Sequence, residues 1–202
     1  MRLHLASTSP ARLATLRAVG IEPELFAPGV DEEAAVAAAG DLTPSEMVML
    51  LARLKAEAVV AAHPGLDGLV LGGDSAFELD GVVYGKPHHP EVARERWLAQ
   101  RGRTGVLHSG HWLIDARTGE AGGAPAAAAV TFAPDLTEAE IDAYIATGEP
   151  LHVAGAFTID SKGAAFITSI EGDPHAVVGL SIPLLRTLTR RLGVEWTTLW
   201  NR

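Results

Sequence analysis

Short apolar runs of strand character alternate with capped helical segments along these 202 residues, and that alternation is the pattern of an α/β sheet. Arg2 to Ala6 reads as a first strand. Ser9 stands as an N-cap with Pro10 at the first helical position, and a helix then passes Leu13, Leu16 and Val19 to a stop at Gly20. A second strand covers Glu24 to Ala27. Thr43, Pro44, Ser45 and Glu46 form a capping box that opens a long helix to Ala62. Further on, Glu91 to Gln100 reads as a helix ended by Gly102, and Val106 to Asp115 as a strand. Ala116 to Pro125 reads as an exposed hairpin loop leading to a strand over Ala126 to Phe132. Thr137 to Glu140 is another capping box, for a helix ending at Thr147-Gly148. Strands across Ala156 to Ile170 and a last helix from Pro183 to Leu192 complete the chain. No composition shift marks a linker, so residues 1–202 are expected to form one α/β domain.

The stretch Leu69 to Pro87, LVLGGDSAFELDGVVYGKP, carries the sharpest chemical signal. Leu69, Val70 and Leu71 suit a buried strand, which delivers Gly72, Gly73, Asp74 and Ser75 to its end. Asp80-Gly81 is a hairpin turn, and Val82, Val83 and Tyr84 bring Gly85, Lys86 and Pro87 back alongside Asp74. A carboxylate beside an ammonium, among small residues, suits a phosphate ester and a divalent ion. The alternative is a surface ion pair at a hairpin.

Composition weighs on that choice. Of 16 Lys plus Arg only Lys55, Lys86 and Lys162 are lysines, which singles them out as positions where a compact ammonium differs from a planar guanidinium. A hydrophobic content of 48% is enough for a full core. The net charge of -9 argues against a broad basic face for a nucleic-acid polymer or an anionic membrane, so an anionic ligand must meet local cations or a metal. The absence of cysteine excludes disulfides and thiolate zinc sites. No window approaches the roughly 18 apolar residues of a membrane span, and a cytoplasmic location is the expectation.

Three other groups stand out. The turn before the first helix offers Ser7, Thr8 and Ser9 with Arg12 in the first turn, a setting in which unpaired N–H groups receive an anion; alternatively Ser9 only caps and Arg12 is solvated. Asp31, Glu32 and Glu33 follow Pro28-Gly29 as an acidic loop that either is solvated or brings carboxylates to a metal. Lys55 shares a helix face with Leu51 and Val59 and must reach along the helix to a cleft or to water. His108 and His111, three apart on a strand, point to opposite faces and are not expected to chelate. Asp160 to Lys162 and Glu171 to Asp173 read as polar hairpin turns.

Taken together, the stretches LASTSPARLATLRAVGI, GVDEE, ARLKAEAV, GGDSAFELDGVVYGKP, TGEPLHVAGAFTIDSKGAAFI and IEGDPHAVVGLSIPLL resemble the Maf family of nucleoside triphosphate pyrophosphatases, also called septum formation inhibitor proteins. The resemblance covers essentially the whole chain. It implies a mixed central β-sheet with helices, two lobes around a cleft, and an architecture related to inosine triphosphate pyrophosphatases. It implies hydrolysis of a nucleoside 5′-triphosphate to monophosphate and pyrophosphate with a divalent metal, Mg2+ or Mn2+, the removal of non-canonical or modified nucleotides, a link to cell-division arrest, and a homodimer. By the same resemblance Asp74 is the general base or metal-linked acid, Glu32 helps hold the metal with Asp74, and Ser7, Arg12, Lys55 and Lys86 clamp the phosphates. Arg12, Ser75 and Asp160 fall at positions linked to base choice. Ala11, Ser75 and the Asp160-Ser161 pair depart from the commonest family residues, and Asp160 cannot donate the hydrogen bonds of a glutamine amide, so the preferred base stays open. Two alternatives stand beside this reading: an inosine or xanthosine triphosphate pyrophosphatase, and a non-catalytic nucleotide-binding regulator of cell division.

Overall fold

The computed structural model describes Met1–Arg202. Its strands are β1 (Leu3–Ala6), β2 (Glu24–Phe26), β3 (Leu69–Leu79), β4 (Val82–Tyr84), β5 (Thr104–Asp115), β6 (Ala121–Phe132) and β7 (Ile167–Gly172). Its helices are α1 (Pro10–Ala18), α2 (Glu32–Ala39), α3 (Pro44–Ala62), α4 (Pro90–Gln100), α5 (Glu138–Ala146), α6 (Pro174–Val178) and α7 (Ile182–Arg191). The strand order is β2-β1-β3-β5-β6-β7, with β4 paired to β3. β1 is parallel to β2 and β3, while β4 is antiparallel to β3 and β7 to β6, so the sheet is mixed, as expected.

The chain divides into two compact units. The first comprises Met1–Asp74, Ser109–Ala126 and Gly179–Arg202. Its parallel strands β1 and β3 are covered on both faces, which explains the unbroken apolar run Leu69–Leu71 and why β1 is buried throughout, His4 included. Leu3, Leu5, Leu69 and Leu71 pack with Leu16 of α1 and Leu185 and Leu188 of α7, while Val70 packs with Ala56 and Val59 of α3. The second unit comprises Ser75–His108 and Ala127–Val178. Its core is aromatic: Phe77, Trp97, Phe132, Tyr144 and Phe157 meet edge to face with ring centroids 5.1 to 5.8 Å apart. The Trp97 indole N–H, which burial would orphan, donates to the Ala156 carbonyl at 2.7 Å.

The local signals are realised closely. Ser9 caps α1 by accepting from the Arg12 N–H, and Thr43 and Thr137 complete reciprocal capping boxes with Glu46 and Glu140. Asp80 and Gly81 both adopt positive φ, 52° and 78°, as the two central residues of a tight hairpin turn.

Four expectations are corrected. The strand after Leu69 does not end at Gly72 but continues to Leu79, so Asp74 lies mid-strand rather than at a strand end. Asp31 to Glu33 is no acidic loop: the Asp31 carboxylate accepts from the Ala34 N–H at 3.0 Å, and the alanine-rich run that follows forms α2 with Glu32 in its first turn. The loop at 116–125 is shorter than its glycines indicate, because Gly122 and Gly123 belong to β6; a Cβ on Gly123 would meet the His111 carbonyl at 2.4 Å. Residues 156–166 form no strand. They run through short 3-10 turns, Ala154–Ala156 and Lys162–Phe166, and only Ile167–Gly172, which includes Glu171, pairs as a strand.

Candidate active site

Asp74 is delivered by β3 in the first unit, and the two glycines before it have separate packing reasons. A Cβ on Gly72 would lie 2.0 Å from the Ala52 carbonyl of α3, so only glycine lets the helix lie this close to the strand. That approach brings Lys55, three residues further along α3, against Asp74. A Cβ on Gly73 would lie 3.0 Å from the Arg12 Nε, so this glycine makes room for the guanidinium.

Lys55 neither reaches solvent nor stands alone. It is 7% exposed, and its Nζ donates to Asp74 Oδ1 at 2.6 Å and pairs with Glu32 Oε1 at 2.8 Å. One ammonium thus gathers a carboxylate from β3 and another from the first turn of α2. Arg12 is equally buried, which rules out the solvated alternative. Its Nε donates to the Gly179 carbonyl at 2.9 Å and its Nη1 to Ser7 Oγ at 3.1 Å; Ser7 Oγ also accepts the Ser9 N–H at 3.2 Å. The serine-rich turn therefore carries a fixed hydroxyl and a fixed guanidinium.

The electrostatics follow from burial. Desolvation pushes the Asp74 carboxyl above its ordinary range, and Glu32 adds to the rise; Lys55, then Arg12, pull it back only in part. Burial likewise lowers the Arg12 guanidinium, against the pull of Asp74 and Glu32, yet a guanidinium keeps its charge at neutral pH. Two cations and two carboxylates share one small region, with an acid poised to exchange a proton nearer neutrality than a free aspartate.

The donor set fits a hard divalent ion. Asp74 and Glu32 present carboxylate oxygens to one point of positive charge, and magnesium is bound by one or two carboxylates together with waters and substrate phosphates. No group of three or more His, Cys, Asp and Glu side chains is assembled for an all-protein cage.

Ser7, Arg12, Glu32, Lys55 and Asp74 are thus brought together in the first unit. Ser75, Lys86 and Asp160 belong to the second. Ser75 follows Asp74 on β3 and is half-buried. The β3–β4 pairing ends at Phe77 and Tyr84, and Lys86 lies beyond it, exposed; the Asp74 ion pair is made with Lys55. The turn before Lys86 is held by Arg96, whose Nη1 donates to the Gly85 carbonyl at 2.5 Å and whose guanidinium lies 5.5 Å from the centre of the Tyr84 ring. Asp160 is exposed. His108 meets Glu78 at 2.9 Å while buried His111 accepts the Ser181 N–H at 2.8 Å, so the two histidines serve separate contacts. Sequence reasoning missed the Gly179 carbonyl that orients Arg12, a contact across 167 residues with no local mark. It placed Gly72 and Gly73 at the end of a strand, although glycines inside a strand signal a close approach.

The Maf-like protein family model matches residues 2–192. A nucleoside triphosphate pyrophosphatase of Leifsonia xyli subsp. xyli is 68% identical, over all of this chain and 98% of the relative. One of the same description from Streptomyces coelicolor is 51% identical, over 98% of this chain and 94% of the relative. Among solved structures, the Staphylococcus aureus Ham1 protein aligns with 95% of this chain and all of its own at TM-score 0.50 and 15% identity, a likeness of fold. Matching the family model and these relatives along nearly its whole length, the chain belongs to the Maf-like protein family.

Proposed function

We propose that this chain is a pyrophosphohydrolase that cleaves a nucleoside 5′-triphosphate between the α- and β-phosphates, releasing the monophosphate and pyrophosphate. Its membership of a family whose relatives are described as nucleoside triphosphate pyrophosphatases supports the reaction. The single observation that carries the chemistry is the buried cluster in which Lys55 pairs with both Asp74 and Glu32 beside Arg12.

Asp74 accepts a proton from the attacking water. The water oxygen bonds to the α-phosphorus as the bridging Pα–O bond breaks, and the electron pair leaves on pyrophosphate. Charge grows on the bridging and terminal oxygens, where Arg12 and Lys55 supply fixed positive charge in a desolvated setting that strengthens each contact. Ser7 orients Arg12 and offers a hydroxyl to a phosphate oxygen, and Lys86 is a further cation for clamping the phosphate chain. Glu32 and Asp74 are the residues that would hold a magnesium or manganese ion, which when bound neutralises phosphate charge and lowers the pKa of water. Arg12, Ser75 and Asp160 take part in base choice. The fold neighbour carries no weight in this reading, because a likeness at 15% identity speaks to architecture alone.

The test is to incubate the protein with magnesium or manganese and a panel of nucleoside triphosphates, inosine triphosphate and methylated bases included, while assaying monophosphate and pyrophosphate. Pyrophosphate release that is abolished in Asp74→Asn establishes the reaction and reveals the base. Folded protein that turns over none of them leaves the non-catalytic regulator.

A further inference from the structure

Glu149, in the 3-10 turn Glu149–His152 after α5, is the most heavily hydrogen-bonded carboxylate of the second unit. Its side chain is only 14% exposed, yet its one cationic partner is the Lys162 ammonium at 3.7 Å. Oε1 accepts from the Thr158 hydroxyl at 2.6 Å, the Tyr144 hydroxyl at 3.0 Å and the Gly163 N–H at 3.1 Å. Oε2 accepts from the Ser161 hydroxyl at 2.8 Å and the Lys162 N–H at 3.4 Å. Four of these five donors lie between Thr158 and Gly163 and bracket Asp160, which is exposed and takes no part in the network. Gly163 is shaped to the same arrangement: a Cβ there would meet the Tyr144 hydroxyl and the Thr158 carbonyl, each at 2.6 Å.

Burying a carboxylate is costly unless its lone pairs are filled, and a surface turn has no need of one. Here one side chain fixes the backbone on both sides of a single exposed acid. The loop is preorganised, and what it presents is Asp160.

We propose that Glu149 is a positioning residue for base choice: by clamping Thr158 to Gly163 it presents the Asp160 carboxylate in one orientation, as a fixed acceptor for an N–H donor on the nucleobase. This rests on the reading of the chain as a nucleoside triphosphate pyrophosphatase in which Asp160 takes part in base choice. Every contact of the Glu149 carboxylate is made within residues 144–163, and Glu149 takes no part in the proposed chemical step. Loosening the clamp therefore lowers discrimination among bases while leaving affinity for the base-free product.

The test compares the wild type with Glu149→Gln and with the milder Ser161→Ala. It reads kcat and KM for thymidine, uridine, cytidine and inosine triphosphates, and the inhibition constant of pyrophosphate. The expected result in both variants is a fall of about fivefold to tenfold in the ratio of kcat/KM between the best and worst base, the scale of one misaligned hydrogen bond. The fall enters through KM, pyrophosphate inhibition is unchanged, and neither variant has a further effect in an Asp160→Ala background. Base ratios that stay at the wild-type value overturn the clamp, as does a uniform loss across all bases and pyrophosphate. If Glu149→Gln does not fold, Ser161→Ala decides by the same ratios. A wild type that hydrolyses no triphosphate overturns the underlying reading together with the clamp.

Discussion

At the scale of single residues, Asp74 joins two properties a general base needs: it is held in place by Lys55, and burial lifts its pKa above that of a free aspartate. Only the ionised carboxylate accepts a proton, so activity falls as pH drops through that raised value. The acidic limb of kcat/KM is expected above the ordinary aspartate range near pH 3.9, and a pH–rate profile measures it. Asp74→Asn removes the acceptor and is expected to lower kcat by about 10²- to 10⁴-fold with the fold intact by circular dichroism. Lys55→Met tests the coupling. Lys55 is the largest of the influences pulling Asp74 back down, so its loss moves the limb to still higher pH as well as slowing the reaction. A limb that does not move in Lys55→Met shows that the two side chains are uncoupled during turnover.

At the scale of elements, the site depends on how closely α3 lies against β3. Gly72→Ala places a methyl where the Ala52 carbonyl stands and forces helix and strand apart, an overpacking that costs about 1–3 kcal/mol. Because Lys55 rides on that helix, the variant is expected to lose activity beyond what its thermal midpoint explains; full activity at a lowered midpoint sinks this account of the glycine. The same contact marks the boundary of what the sequence discloses. Ser9-Pro10, Thr43 to Glu46, Thr137 to Glu140 and Asp80-Gly81 were readable because a cap or a tight turn is decided within four residues. All five clustered residues, Ser7, Arg12, Glu32, Lys55 and Asp74, stand out by motif, charge and family resemblance. What escaped was set by distant partners: the length of β3 through Gly72 and Gly73, and the Gly179 carbonyl that turns Arg12 inward. The turns at 156–166 escaped for the same reason, because the Glu149 carboxylate claims N–H groups that a strand ladder would have used.

At the scale of the whole molecule, stability in acid is tied to Glu149. Burial pushes its carboxyl up, but the hydrogen bonds from Thr158, Gly163, Ser161 and Tyr144 outweigh this and hold it down at about 2, against 4.5 for an unconstrained glutamate. A depressed carboxyl stabilises the fold where it is ionised, so the contribution is complete above pH 4.5 and is lost as pH falls from there toward about 2. The shift corresponds to about 3 kcal/mol. Acid also protonates the chain's other carboxylates and erodes its net charge of -9, so wild-type stability alone does not isolate the effect. The difference between wild type and Glu149→Gln does, since the remaining titrations are common to both. Urea unfolding at a series of pH values is expected to give a difference that is constant above pH 5 and shrinks steadily as pH falls to about 2, where the Glu149 carboxyl is itself becoming protonated. A difference independent of pH means the five hydrogen bonds act on the shape of the side chain and not on its charge, and the clamp at Thr158 to Gly163 then survives acid that protonates Glu149.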